Sequence, residues 1–551
     1  MSTRAKIRLE WRGRLVKSLL TFCTHTNGAK PTSAMILYGS ATRWAQKPAR
    51  AFPDWARWAT YLTVAVLSAG LAGLVAIQLR WAFAFLRRPT EIVYGEALIQ
   101  DHAARLLRGE ALYQPLGLPS FTVVAYTPLF YGLIALGQAV VGPSLLLARV
   151  ISVLAAMVIV ALLARMAARH GQGPAAGLLA ALLFIGLGFP TPLPSFALGK
   201  EDTLGVALGV ASVAVLSRGQ SKCRVGGAAI LAALAVLTKQ TMFAAGLAGF
   251  VALGLHNRRA ALQFAALSAG PVLAVVLAFE LTTHAFFTNA VFANVLPFRT
   301  DILLTNLATL KAYQAGPLAV AAFGAVRRLA QRRSFEDTLL PLYWLATLLS
   351  VAGLASPGSA QNYWIELAAS SAVLATTEIF TWLRGPDMRS RLVGAALAVV
   401  PWVNLVVAGR LALIWLPALA PYDEVAVASA QLDSLVERVR STSGAIVAEP
   451  LDALALAGKP TLVEPWESDA LYRSGVWDID PLVDRVCDGD VQLAVLAHAL
   501  DDTVVAYQEY SIWPAPLQDA LRQKMVLVDR VAGRYIYVPR ADSNCAPAAE
   551  D

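Results

Sequence analysis

Residues 225–256 read VGGAAILAALAVLTKQTMFAAGLAGFVALGLH, and Lys239 is the only lysine, arginine, aspartate or glutamate among them. The run is longer than the roughly 20 apolar residues that cross a bilayer. An ammonium at its middle is costly there unless an anion or a carbonyl meets it. The stretch is therefore expected to lie in a membrane, with a local helix break at Thr238–Thr241 that lets Lys239 face a wet cavity.

The same texture extends on both sides. Candidate spans occupy 58–79, 123–142, 145–168, 203–217, 260–281, 315–330, 338–355, 363–383 and 392–418. The segment 174–198, interrupted by Pro190, Pro192 and Pro194, reads as a re-entrant or half-depth piece. The expectation is a polytopic α-helical core over 58–421 with about ten to twelve crossings. Composition agrees: 57% of residues are apolar and 15% charged, against about 25% charged in an ordinary globular protein, and the mean hydropathy is +0.56. An ordinary soluble enzyme is excluded. The six histidines and four cysteines are not spaced as a zinc motif. There is no phosphate loop, no nucleophile elbow and no HExxH, and Gly171-Gln-Gly173 follows a membrane helix where a dinucleotide fingerprint needs a strand.

Charge is distributed unevenly. Residues 1–57 hold eleven Lys/Arg against Glu10 and Asp54, whereas residues 422–551 hold ten Lys/Arg against twenty-two Asp/Glu. A basic segment ahead of the first span favours a cytoplasmic N-terminus, while acidic residues contribute little to that rule. No Lys/Arg stripe is interleaved with aromatics, so a nucleic-acid partner is not expected. Residues 1 to about 50 lack an apolar period and read as a tail or as an over-extended start with Met35 the initiator. The first span is too long and too deep in the chain for a cleaved signal peptide.

Between the first two spans lies a polar loop, 80–121, within which Glu96–Gly109 reads as an amphipathic helix along the membrane surface, with Ala97, Leu98, Ala104 and Leu107 on its apolar side. From Tyr422 the pattern changes to strand-like runs at 445–448, 461–463, 491–496 and 535–538, alternating with helical stretches such as 451–457 and 516–525. This predicts a separate acidic α/β domain, 422–551, with a partly parallel sheet and no evident catalytic constellation. Cys23 and Cys223 stand alone. Cys487 and Cys545 share the tail and are either paired in an oxidising compartment or two free thiols.

What remains for chemistry is a set of charges beside or inside apolar segments: Glu91, Glu96, Arg149, Lys200-Glu201-Asp202, Lys239 and Glu366. Charges at such depth usually line a cavity or pathway. Each also has a plainer reading. Arg149 could snorkel to the interface, Glu366 could bond a neighbouring helix, and Lys200–Asp202 could mark a span boundary. Lys239 admits no such escape.

The order of short motifs resembles the GT-C fold glycosyltransferases, including protein O-mannosyltransferases and bacterial aminoarabinose transferases. The motifs are Tyr94-Gly-Glu96, Leu106-Leu-Arg-Gly-Glu-Ala-Leu-Tyr113, Tyr126-Thr-Pro-Leu129, Gly142-Pro-Ser with Arg149 and Ser152, Gly199-Lys-Glu-Asp202-Thr-Leu, Leu237-Thr-Lys-Gln-Thr241 and Asn362-Tyr-Trp-Ile-Glu366. They cover most of the chain. The resemblance implies transfer of a sugar from a polyprenyl-phosphate donor to a carbohydrate, lipid or protein acceptor. The reaction would invert the sugar and face the outside of a bacterial cytoplasmic membrane. It puts Glu96 in place as general base and Asp202 as second acid, orienting the acceptor or holding a divalent ion. Lys239 and Lys200 would hold the donor phosphate, with Glu91, Arg105 and Glu366 in substrate binding. Two departures stand out: Gly95-Glu96 replaces the family's Asp-Glu or Asp, and Tyr126-Thr-Pro128 lacks the His or Lys of His-Pro-Pro or Lys-Pro-Pro. Phosphate contact from that position would pass to Lys239 or Lys200.

Two other classes use the same charges. A transporter or flippase for a lipid-linked or amphipathic solute would treat them as a pathway, but its usual paired halves with matching helix breaks are not visible. A non-catalytic assembly subunit would leave the loop carboxylates without a task.

Overall fold

The computed structural model describes residues 54–540 and Cys545, apart from 118–119, 170–171, 295, 332–333, 424 and 503–509. The basic segment before residue 54, with Cys23 and Met35, lies outside the described residues. The bundle is built from α1 (Asp54–Arg87), α2 (Glu96–Arg108), α3 (Leu129–Val141), α4 (Leu145–Ala168), α5 (Gly173–Gly188), α6 (Asp202–Leu216), α7 (Lys222–Thr238), α8 (Ala244–His256), α9 (Arg258–Thr283), α10 (Thr300–Gln331), α11 (Glu336–Leu349), α12 (Ile365–Leu383), α13 (Met388–Val399) and α14 (Trp402–Trp415).

Among the described residues five segments are long and apolar enough to cross a membrane unaided: Tyr61–Arg87, Leu145–Ala168, Arg258–Thr283, Glu336–Ala355 and Met388–Leu419. Shorter apolar helices, α3, α5, α6 and α8 among them, fill in the rest. The chain is a multi-pass membrane protein. The run 225–256 is not one span but two helices. α7 stops at Thr238, Lys239 is extended (φ −155°, ψ 127°), and α8 starts at Ala244, so the break falls where the lysine requires it. Small residues let helices approach closely, as such residues do in membranes; a Cβ on Gly177 of α5 would lie 2.7 Å from the Ala164 carbonyl oxygen of α4.

Polar contacts gather the helix ends at two faces. At one, Arg149 near the start of α4 reaches the carbonyls of Phe85 and Arg88 at the end of α1, Ser152 donates to the Lys200 carbonyl (2.9 Å), and Thr127 donates to the Val236 carbonyl (2.7 Å). At the other, Arg169 donates to Ser217 (3.3 Å), Gln172 to Thr381 (3.2 Å), and Arg327 and Arg328 pair with Glu378 and Asp337. The second face carries the turns rich in arginine: 165–169, 218–224, 258–259, 327–328 and 384–391. α4 and α5 thus form a complete out-and-back pair, and Glu96 and Asp202 arrive at the same end.

Two expectations need correction. The candidate span 123–142 is the 13-residue α3, which begins just after Thr127, the residue that bonds the Val236 carbonyl at the first face. Three residues separate it from α4, whose start is fixed at the first face, so α3 lies at that face and does not cross. The apolar side expected for the helix at 96–108 is divided: part of it is covered by protein and part is exposed. Leu106 and Leu107 are exposed, while Ala97 and Leu98 pack into the C-terminal region and Ile99 and Ala103 pack against α3.

The C-terminal region begins with α15 (Val425–Ser441) and carries β1 (Ala445–Glu449), β2 (Val491–Leu496), β3 (Met525–Val531) and β4 (Arg534–Pro539) in the order β1-β2-β4-β3. β1 and β2 are parallel and the other pairs antiparallel. Val463 makes only a parallel bridge with Phe121, so 461–463 is not a sheet strand, while β3 was missed because its residues ran on from a helical pattern. Cys487 and Cys545 are bridged; Cys223 is free and exposed. The region's apolar cores take in Phe121, Val123 and Ala293 on one side of the sheet and Ala97, Leu98 and Leu145 on the other. Phe121 stacks on Trp477 with ring centroids 3.5 Å apart.

Candidate active site

The strap between α1 and α2 (residues 88–95) and the strap between α5 and α6 (residues 189–201) meet beneath the C-terminal region. Two buried charge clusters sit there. In the first, Glu96 and Arg149 are 1% and 0% exposed. Glu96 accepts from Arg149 through both oxygens (3.1 and 2.6 Å), from the Gly199 amide (2.7 Å) and from the Ile92 amide (3.0 Å). The rest of the guanidinium is taken by the carbonyls of Phe85, Arg88 and Thr90. Arg149 therefore does not snorkel to the interface; it is locked inside.

The second cluster is built by the break after α7. Lys239, 1% exposed, pairs with Glu201 (3.1 Å) and with Asp202 (2.7 Å), the first residue of α6. Its ammonium lies 4.3 Å from the ring centre of Tyr126 and 5.2 Å from that of Tyr363, close enough for both rings to share the charge. Asn362 donates to the same Asp202 oxygen (3.1 Å). The other oxygens of Glu201 and Asp202 are buried with no hydrogen-bond partner among the described residues. Asp202 opens onto a recess lined also by Thr241, Met242, Ser350, Asn362, Tyr363 and Glu366. Glu366 accepts from Tyr343 (2.9 Å) and keeps one oxygen unpartnered.

The remaining expected residues divide. Lys200 Nζ lies against Gly95, which is in the left-handed region (φ +90°) and has no room for a side chain; among the described residues it makes no ion pair or hydrogen bond. Arg105 does not line the recess: it donates to Thr122, Ser120 and the Leu112 carbonyl, folding the loop after α2 back on itself. Glu91 accepts from the Ala97 and Leu451 amides. Burial, and then the charge of Asp452, push its carboxyl up to about 8; Asp452 itself is paired with Arg534.

Sequence reasoning missed Tyr343, and it missed the joint made by Tyr94 with Glu464 and Glu467. Burial pushes Glu464 up to about 7, and burial together with the neighbouring Glu464 pushes Glu467 up to about 8. The only sign in the sequence was Glu464-Pro465 closing a strand-like run. Among the described residues no group of three or more His, Cys, Asp or Glu side chains is gathered for a metal ion. Glu201 and Asp202 offer two carboxylates, both already facing Lys239.

No protein-family model matches the chain, and no curated protein matches it in sequence. Solved structures do match. ArnT from Cupriavidus metallidurans bound to undecaprenyl phosphate superimposes with a TM-score of 0.56 at 13% identity, over 86% of this chain and 98% of that one. The apo state of the same protein gives 0.53 at 13% identity, over 89% and 99%. The fold is the GT-C fold. Because the match covers 86% of this chain, it takes in at least part of the C-terminal region as well as the bundle.

Proposed function

We propose that the chain is a membrane glycosyltransferase that moves a sugar from a polyprenyl-phosphate donor to an acceptor outside the cytoplasm, with inversion. The observation that carries this reading is the second cluster: at a helix break in a GT-C fold, Asp202, paired with Lys239, shares a recess with Glu366, and each of these two buried carboxylates has an oxygen with no partner among the described residues. Asp202 is the base in this proposal. Its free oxygen takes the proton of the acceptor hydroxyl, the hydroxyl's oxygen bonds to the anomeric carbon from the face opposite the phosphate, and the bond from that carbon to the phosphate oxygen breaks as the lipid phosphate leaves with the electron pair. Lys239 and Asn362 orient Asp202 through its other oxygen. Lys200, a cation with no ion pair or side-chain hydrogen bond among the described residues, takes the donor phosphate. Glu96, with its acceptor positions filled, serves as framework, and Glu91 and Arg105 shape the strap and loop around it. Glu366 with Tyr343 borders the recess and contacts the sugar.

Sidedness has two supports. The arginine-rich turns gather at the face opposite the site, the side that the positive-inside rule assigns to the cytoplasm, and the Cys487–Cys545 bridge suits an oxidising compartment. A cysteine placed at Thr90 should react with an impermeant reagent in intact cells; reaction only after lysis would reverse the topology. The activity is tested by incubating the purified chain with polyprenyl-phosphate sugars and acceptor extracts and measuring free polyprenyl phosphate. Release that depends on Asp202 is the expected result. Movement of intact donor across vesicles without release would make the chain a flippase.

A further inference from the structure

We propose that Glu464, contributed by the C-terminal region, acts as a protonated positioning acid for the Lys200–Asp202 site. Its functional consequence rests on the transferase reading above; the hydrogen-bond inventory does not.

Tyr94 Oη lies 2.5 Å from Glu464 Oε1 and 2.8 Å from the Pro465 carbonyl oxygen. A phenol has one proton to give. With Glu464 ionised, both neighbours are acceptors and one of these close, buried contacts has no hydrogen in it. A protonated Glu464 resolves the conflict. Its hydroxyl donates to Tyr94, Tyr94 donates to the Pro465 carbonyl, and the second carboxyl oxygen accepts from the Val123 amide at 2.7 Å. Each polar atom is then used once.

The charged and titratable groups around Glu464 agree with this assignment. Tyr94 faces it from the first strap, with Glu91 beside Tyr94, Arg105 from α2, Lys200 from the segment before α6, and Glu467 from its own segment. The two cations pull toward ionisation, yet burial outweighs them, and Arg105 is committed to the loop it ties down.

Glu464 acts through Tyr94. The residue after Tyr94 is Gly95, against which the Lys200 ammonium lodges, and the residue after that is Glu96, which holds the Gly199 amide. The strap pinned by Glu464 therefore grips the two residues just ahead of Glu201–Asp202. Loss of the proton would leave the Pro465 carbonyl without its donor, place a second negative charge beside Glu467, and draw Lys200 toward Glu464 and away from a donor phosphate.

The test uses the purified full chain. Hydrogen exchange of the 88–96 peptide is followed from about pH 6 to about pH 9 and corrected for the chemical rate. The wild type should lose protection as pH rises through neutrality. Glu464→Gln, whose amide donates to Tyr94 while its oxygen still accepts from Val123, should keep it. Unchanged corrected protection in the wild type, or a Glu464→Gln protein that follows the wild type, would overturn the proposal. If that variant does not fold, infrared difference spectra of the wild type decide. A protonated-carboxyl carbonyl band should disappear over the same pH range and be shifted by Tyr94→Phe, and a spectrum that Tyr94→Phe leaves untouched overturns the proposal. Turnover should fall on the alkaline side in the wild type, and that fall should move to higher pH in Glu464→Gln. Exchange behaving as expected in a protein that transfers no sugar would sink the transferase reading alone.

Discussion

Two buried ion clusters lie at the same end of this bundle, and they are built to opposite plans. Around Arg149 and Glu96 every strong donor and acceptor is matched, with three carbonyls and two amides completing the pair. Around Lys239 two carboxylates share one ammonium, each keeps an oxygen without a partner among the described residues, and a recess opens beside one of them. A buried polar group left unsatisfied carries a standing cost. In the proposed function the saturated cluster accordingly goes to the framework and the unsaturated one to the ligand.

The largest expected effect is on the closed cluster. Arg149→Met leaves the buried Glu96 with its two amide donors but without its cation, and breaking a buried pair in this way costs about 3–5 kcal/mol. The detergent-solubilised variant should unfold at markedly lower temperature or fail to accumulate. Arg149→Lys should not restore it, because one ammonium cannot replace a planar fork that serves Glu96 and three carbonyls at once. Between the two clusters, where Lys200 lies against Gly95, Lys200→Met should leave the melting temperature near wild type and weaken donor binding about tenfold, the equivalent of about 1.4 kcal/mol, as read by titration with a polyprenyl-phosphate sugar. Unchanged donor affinity would move the phosphate contact elsewhere.

The smallest effect concerns Glu91, next to the closed cluster. Its carboxyl is raised to about 8 from 4.5, so the folded state holds a proton that the unfolded chain gives up. Its contribution to stability is complete below about pH 4.5 and is lost as pH rises through about 8. The melting temperature should slope downward over that interval, and Glu91→Gln should flatten part of the slope. A slope unaltered by the substitution would place the titrating group elsewhere in the joint.

The contrast between the clusters was only half legible in the sequence. Lys239 announced itself because a lone charge in an apolar run demands a partner, and the same demand located the helix break. The motif Gly199-Lys-Glu-Asp202 and the Asn362–Glu366 element were visible as short strings, and the structure brings Asp202, Asn362 and Glu366 to one recess. What a string does not show is saturation. Glu96 and Asp202 looked alike as carboxylates at helix starts, and only the arrival of the Gly199 and Ile92 amides and of Arg149 distinguishes them. Glu464 was invisible because its partner Tyr94 is 370 residues away. The span assignments went astray at α3 for a related reason: apolar residues at a helix face that packs against α2 look the same as apolar residues facing lipid.

The division of labour between the two clusters is tested most directly by measuring melting temperature and kcat together for Glu96→Gln and Asp202→Asn. Asp202→Asn should melt close to wild type, since Lys239 keeps Glu201 as a partner, and its kcat should fall by about two to four orders of magnitude, the usual range for a lost general base. Glu96→Gln should melt well below wild type while the fraction that stays folded still turns over. A Glu96→Gln protein that is stable and inactive beside an Asp202→Asn protein that is active would contradict the assignment and return the base to Glu96.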